Sequence, residues 1–444
     1  MPGEKYDAED RTEAGGVSRR CVAGSAVLAA GLLIAGGGGA RAAGVTGATR
    51  ATGAARARPA GGIVLRLPAP TGPHRVGITT LHLVDRHRND PWNAGISVRE
   101  MMITIFYPAC DVRGRPLAPQ MSEGAAAAFE KIDPVHVHRE LPKSGVRWGA
   151  TSTHAYVDAP AQAVRRPVLL YSPGGGDSRT LGTGVAEELA SRGCVVVTMD
   201  HPGETTEVEF PRPTAQRAKV RTFELPGNPQ TDAGVFRTMI DTRLADTRFV
   251  LDRLEDLAAG RNPDADGSTL PQDLGRALDL RRVGIYGHSA GGTTAAEAMY
   301  EDRRIGAAVD LEGYLDHPAT VPGRPGELFP VARYGVDRPL LLVGTDGFRD
   351  ERFDRSWSAM LAHPGGRTRR RMIDDATHWV FTDYAAMAPQ LQAAGLMTAD
   401  GRRKLVGAID PARSVPAVRR CVTSFFARQL PRRGTWRGQW DRRG

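Results

Sequence analysis

Gly287-His288-Ser289-Ala290-Gly291 fits Gly-x-Ser-x-Gly, a spacing that suits a serine nucleophile on a sharp strand-to-helix turn. Such a turn strains its middle residue, and the flanking glycines are needed because a side chain there would strike the neighbouring strand and helix. A serine hydroxyl is inert at neutral pH without a base to take its proton. Of the eleven histidines, His378 in Thr377-His378-Trp379 has the chain position expected of that base, just beyond the last strand-like run. The base in turn needs a carboxylate on its other ring nitrogen. Val309-Asp310-Leu311-Glu312-Gly313 and Thr345-Asp346-Gly347 each offer one. Period-two alternation puts Asp310 and Glu312 on one strand face with Glu312 nearer the end, so Glu312 is expected first, Asp346 second and Asp310 third. Ser172-Pro173-Gly174-Gly175-Gly176 follows an early strand, and three glycines let its backbone approach a substrate closely. The N–H groups of Gly175 and Ala290 are therefore expected to receive the developing oxyanion. Such a set is expected to support acyl transfer from an ester through an acyl-enzyme, with no cofactor and no metal.

These residues must sit at the ends of strands. Strand-like runs occur at 76–84, 101–107, 167–171, 194–199, 283–286, 305–311, 339–343 and 369–373, and helical periodicity at 180–192, 234–259, 290–302, 354–363 and 415–429. Several strands are short and almost wholly apolar, as in a sheet covered on both faces. Strands alternating with helices predict an α/β fold with a doubly wound, mostly parallel sheet. The first two strands have no helix between them and predict an antiparallel start. The polar loops 202–232 and 260–281 are both expected to be able to overhang the site. One catalytic domain over 63–430 follows, since no linker divides it.

The chain of 444 residues carries 59 basic and 50 acidic side chains, a formal charge of +9. Residues 402–444 alone hold 12 basic and two acidic groups, so the remainder is close to neutral. The Arg/Trp tail 431–444, with Trp436 and Trp440, is expected to make at most a weak contact with anionic surfaces. No nucleic-acid module surrounds it, and none is expected as a partner. Residues 1–42 read as an export signal: Ser18-Arg19-Arg20, the apolar stretch 22–35, then Ala40-Arg41-Ala42 as a small-x-small cleavage site. The paired arginines suit a twin-arginine signal and predict a secreted protein with a disordered leader over 43–62. In an oxidising compartment Cys110 with Cys421 is the one plausible bridge, while Cys194 is expected as a small buried hydrophobe. His136 with His138, and His82 with His87, have metal-like spacing, but no further ligand completes a set. Phe381 and Tyr314 are candidates for an acyl pocket or for plain packing.

Together these motifs resemble the plasma-type platelet-activating-factor acetylhydrolases and their secreted bacterial lipase and esterase relatives, within the α/β-hydrolase superfamily. The likeness spans most of 66–430. It rests on Tyr107-Pro108-Ala109, Ser172-Pro173-Gly174-Gly175-Gly176, Gly287-His288-Ser289-Ala290-Gly291-Gly292, Leu311-Glu312-Gly313 and His378-Trp379-Val380-Phe381-Thr382-Asp383. Two places differ from the family pattern: Pro173 stands where relatives have His, and Glu312 where they have Asp. The resemblance implies Ser289 as nucleophile, His378 as base, Glu312 as acid, and a lipid-like or short-acyl ester as substrate. An acyltransferase of the same fold, or a non-catalytic lipid- or wall-binding protein on this scaffold, are the alternative functions.

Overall fold

The computed structural model describes residues 61–430 apart from Pro322 and Gly365. The expected export signal, nearly all of the leader and the Arg/Trp tail lie outside the described residues. Ten strands form the main sheet: β1 (Val76–Asp85), β2 (Arg99–Pro108), β3 (Leu117–Pro119), β4 (Ser152–Val157), β5 (Arg166–Ser172), β6 (Val195–Met199), β9 (Leu278–His288), β10 (Ile305–Leu311), β11 (Leu340–Thr345) and β12 (Thr368–Ile373). A two-residue pair, β7 (Val208–Glu209) and β8 (Val220–Arg221), lies apart from it. The sheet order is β12-β11-β10-β9-β5-β6-β2-β1-β4-β3. Strands β12 through β6 are parallel, and β1 pairs antiparallel with β2 as expected.

The order reverses between β5 and β9. From β5 the chain winds outward to β6 and later returns to place β9 on β5's other side. That reversal opens a crevice beyond the strands' carboxyl ends, where ligands of doubly wound sheets bind. Ser172 pairs with Gly287 there, so the Gly-rich loop and the Ser289 turn leave the sheet side by side.

Alternation along the strands divides the core. Val168, Leu170, Val195 and Val197 face one layer, with α3 (Ala233–Ala258), α4 (Ala290–Glu301), α5 (Pro330–Tyr334) and α6 (Glu351–Leu361). Leu169, Tyr171, Val196 and Val309 face the other, with α2 (Thr183–Ser191) and α9 (Pro411–Gln429). Caps start these helices where the sequence changes period: Asp232 accepts from the N–H groups of Gly234 and Val235, and Asp350 from that of Phe353. A third cluster joins α1 (Glu123–His136), α7 (Tyr384–Ala393) and α8 (Ala399–Val406). No described helix is long and apolar enough to cross a membrane.

Several features depart from the sequence expectations. Helices α1, α5, α7 and α8 and strands β3 and β4 were not anticipated. In α1 a run of alanines hides the apolar period, and α1 and α7 each contain a proline. Of the two loops, 202–232 does approach the Gly-rich loop, through Gly176 N–H to the Glu204 carbonyl. The 260–281 loop is tied to β1 by His82 N–H to Asp264 and then feeds the amino end of β9. Cys110 is exposed just past β2 while Cys421 faces inward on α9; both are free thiols, so the expected bridge is not made. Cys194 is half-buried at the entrance to β6, and burial pushes its thiol up to about 12.

Candidate active site

Ser289 joins β9 to α4 with φ 56° and ψ −122°, a conformation that non-glycine residues rarely adopt. The turn is this tight because two chains meet inside it. A Cβ on Gly287 would lie 2.0 Å from the Gly291 carbonyl oxygen, and one on Gly291 would lie 1.9 Å from that of Ser172. The Ser289 N–H donates to the Leu311 carbonyl at 2.9 Å, which anchors the turn to the next strand. Ser289 is half-buried at the N-terminus of α4, where the helix presents its positive end.

His378 begins a short 3₁₀ turn, His378–Phe381, after β12, and is buried. Its Nδ1 is 2.8 Å from Glu312 Oε2. Glu312 leaves the end of β10 with φ 65°, so strand alternation no longer governs its direction. Its other oxygen accepts from the Thr345 N–H and hydroxyl. The two alternative acids go elsewhere. Asp346 accepts from the N–H groups of Asp375 and Ala376 and thereby shapes the loop leading to His378. Asp310 is buried beneath the turn and accepts from Gly313 N–H at 2.6 Å. Burial drives the His378 imidazole below its ordinary value, so it stands neutral and able to accept a proton. Burial pushes the Glu312 carboxyl up, against the pull of the Thr345 donors.

His288 ties Ser289's turn to His378. Its Nε2–H donates to the His378 carbonyl at 2.9 Å, and the two rings lie 4.4 Å apart. The Ser289 hydroxyl makes no hydrogen bond among the described residues; in free enzymes the nucleophile–base contact is often long. Gly175 and Ala290 are neighbours, a Cβ on Gly175 lying 3.9 Å from that of Ala290. Among the described residues neither N–H is spent on another acceptor. Ala290 N–H is one of the helix's unpaired first-turn donors.

Sequence reading missed Phe348. Its ring stacks on His378 at 4.0 Å, and Tyr314 meets it edge-on. Its signal was its place, two residues after Asp346 at a strand's end. Phe381 is fully buried in the layer with α9. Of the histidines with metal-like spacing, His138 lies under the site on Asp133 at 2.7 Å, and His82 lies between Glu100 and Asp266. A cleft of about 2000 Å³ bounded by residues such as Ile63, Trp148 and Leu396 includes none of Ser289, His378 or Glu312; the chemistry of the residues, and not cavity size, identifies the site.

Behind the Gly-rich loop runs a fully buried chain. The Ser172 hydroxyl is 2.9 Å from His201 Nε2, and His201 Nδ1 is 3.0 Å from Asp246, which Arg99 also holds. Burial and the Arg243 guanidinium push His201 down to about 4, although Asp246 pulls the other way. Burial alone would raise Asp246, but Arg99 and His201 hold it far below the usual carboxylate range. The unfolded chain protonates His201 below about pH 6.5, whereas the folded chain resists down to about 4. The unfolded state therefore binds more protons in that window, and stability falls as pH drops through it, by up to about 1.4 kcal/mol per pH unit from this group. Asp246 has the same sign lower down: its contribution is whole above about pH 3.9 and fades in stronger acid. Buried Glu204 and Glu297, both raised to about 7, act oppositely. The difference between wild type and His201→Gln isolates the histidine. Urea melts should show the wild-type unfolding free energy falling more steeply between pH 6.5 and 4; parallel curves would reject this assignment.

A model of the family described as platelet-activating factor acetylhydrolase, isoform II, matches residues 63–442. Among curated proteins, a probable 1-alkyl-2-acetylglycerophosphocholine esterase of Arthroderma benhamiae is 29% identical over 380 residues, covering 81% of this chain and 87% of that protein. The platelet-activating factor acetylhydrolase of Gallus gallus is 22% identical over 415 residues, with 85% and 86% covered. Among solved structures, a ferulic acid esterase from Streptomyces cinnamoneus aligns with a TM-score of 0.63 at 30% identity, covering 86% of this chain and 96% of that one.

Proposed function

This chain belongs to the platelet-activating factor acetylhydrolase isoform II family, within the α/β-hydrolase superfamily, and is a carboxylic ester hydrolase; from that premise we propose that Ser289, His378 and Glu312 form its catalytic triad. The observation that carries this reading is the 2.8 Å contact of His378 Nδ1 with Glu312, beside a serine held at positive φ on a strand-to-helix turn. Ser289 Oγ attacks the ester carbonyl while His378 Nε2 takes its proton. The tetrahedral oxyanion is received by the N–H groups of Gly175 and Ala290. The imidazolium passes its proton to the leaving alcohol, and water, activated by the same ring, releases the acid. Glu312 holds the Nδ1 proton and stabilises the imidazolium, whose charge offsets the burial of the carboxylate.

Residues 1–42 direct export, and the mature protein acts outside the cell on lipid-like or short-acyl esters. The similarity to acetylglycerophosphocholine and ferulic acid esterases supports an ester with a small or flat acyl group, and Phe348 over His378 offers that group an apolar surface. The test is a series of p-nitrophenyl esters from acetate to palmitate, with a fluorophosphonate probe and peptide mapping. Activity falling with chain length and a single adduct on Ser289 are expected. A preference for palmitate would overturn the acyl assignment, and an adduct elsewhere would overturn the nucleophile.

A further inference from the structure

Arg243 lies in the middle of α3, wholly buried, with no part in the triad. Its guanidinium nevertheless reaches the Gly-rich loop at two successive carbonyls. One terminal nitrogen donates to the Pro173 carbonyl at 2.6 Å, and the other to that of Gly174 at 3.1 Å. Its Nε donates to Glu204 at 2.6 Å. The Glu204 carbonyl takes the Gly176 N–H at 3.1 Å, and the Gly176 carbonyl accepts from Thr206 N–H at 2.9 Å. The loop is thus gripped on both sides of Gly175, whose own N–H makes no hydrogen bond among the described residues.

Peptide geometry gives this grip a consequence. The Gly174 carbonyl and the Gly175 N–H belong to one planar trans unit and point in opposite directions. Fixing the carbonyl inward on Arg243 turns the N–H outward, toward the side where Ala290 lies. Pro173 has no N–H with which to tether the loop itself; the Gly174 carbonyl also accepts from the Asp177 N–H at the longer distance of 3.3 Å, and Arg243 adds the closer hold on a peptide that its glycines leave pliable. We propose that Arg243 is a positioning residue for ester hydrolysis: by clamping the Pro173 and Gly174 carbonyls it aims the Gly175 N–H at the developing oxyanion. The proposal rests on the assignment of Ser289 and Gly175 above. Only a planar fork reaches both carbonyls and Glu204 together, so lysine does not substitute.

The experiment compares wild type with Arg243→Lys, which keeps a charge for Glu204, and with the double variant Arg243→Met/Glu204→Gln. The latter removes both buried charges at similar volume and keeps the interior free of an unpaired ion. At a temperature where urea melts show every protein folded, kcat should fall by about 10²–10³-fold in both, with KM within about threefold. Affinity for a trifluoromethyl ketone, which forms the tetrahedral adduct, should fall in parallel, because the adduct uses the oxyanion donors and the bound ester does not. A folded variant with kcat and ketone affinity within about threefold of wild type would overturn the proposal. So would a loss of kcat that leaves ketone affinity unchanged. Ser289→Ala separates the two layers: if it retains wild-type activity, the parent assignment fails whatever Arg243 does.

Discussion

Ser289→Ala is expected to lower kcat on p-nitrophenyl acetate by about 10⁶-fold while leaving the fold intact. The hydroxyl makes no hydrogen bond among the described residues, so deleting it strands no buried partner, and the backbone remains anchored through Ser289 N–H to Leu311. Ser289→Gly should lose the same activity and gain about 1 kcal/mol of stability in urea melts. Glycine adopts φ 56° without the steric cost borne by a residue with a Cβ. Paired this way, the variants separate strain kept for chemistry from strain of no consequence. More than about one per cent residual activity in Ser289→Ala would place the nucleophile elsewhere. A glycine variant no more stable than the alanine one would mean that the turn stores no strain.

The second large effect belongs to the acid. Glu312→Gln should reduce kcat by about 10⁴-fold, because an amide can present its N–H₂ to Nδ1 and reverse the tautomer the base requires. Asp346→Asn should cost only a few-fold, through the loop that Asp346 shapes by holding the N–H groups of Asp375 and Ala376. Glu312→Asp should fall between them: the shorter side chain cannot reach His378 and the two Thr345 donors together unless the backbone moves. Comparable losses in Glu312→Gln and Asp346→Asn would sink the assignment of either as the sole acid.

The aromatic surroundings divide along the same lines. Phe381 and Tyr314 were equally eligible for a pocket by sequence, yet one is core and the other reaches the base only through Phe348. The path of the turn after each strand separates them. The cysteines teach the same lesson: Cys110 and Cys421 were paired by elimination, and the fold sends one to an exposed loop and the other against the sheet.

By itself the sequence determined what local chemistry dictates. The glycines at 287 and 291, with a strand before and a helix after, specify a turn that only a strained residue can occupy. The short apolar runs between amphipathic helices specify a buried parallel sheet, and the antiparallel start follows from a connection that carries no helix to form a crossover. Those signals lie within a few residues of one another, where backbone sterics and period act directly. Tertiary structure decided what depends on contact across the chain. Glu312 meets His378 because a positive φ carries it off the strand's alternation, 66 residues from its partner. Arg243 grips Pro173 and Gly174 from 70 and 69 residues away. No propensity or spacing encodes such meetings; they arise when the ends of central strands and a helix close on one buried volume, and the polar groups caught there must find each other.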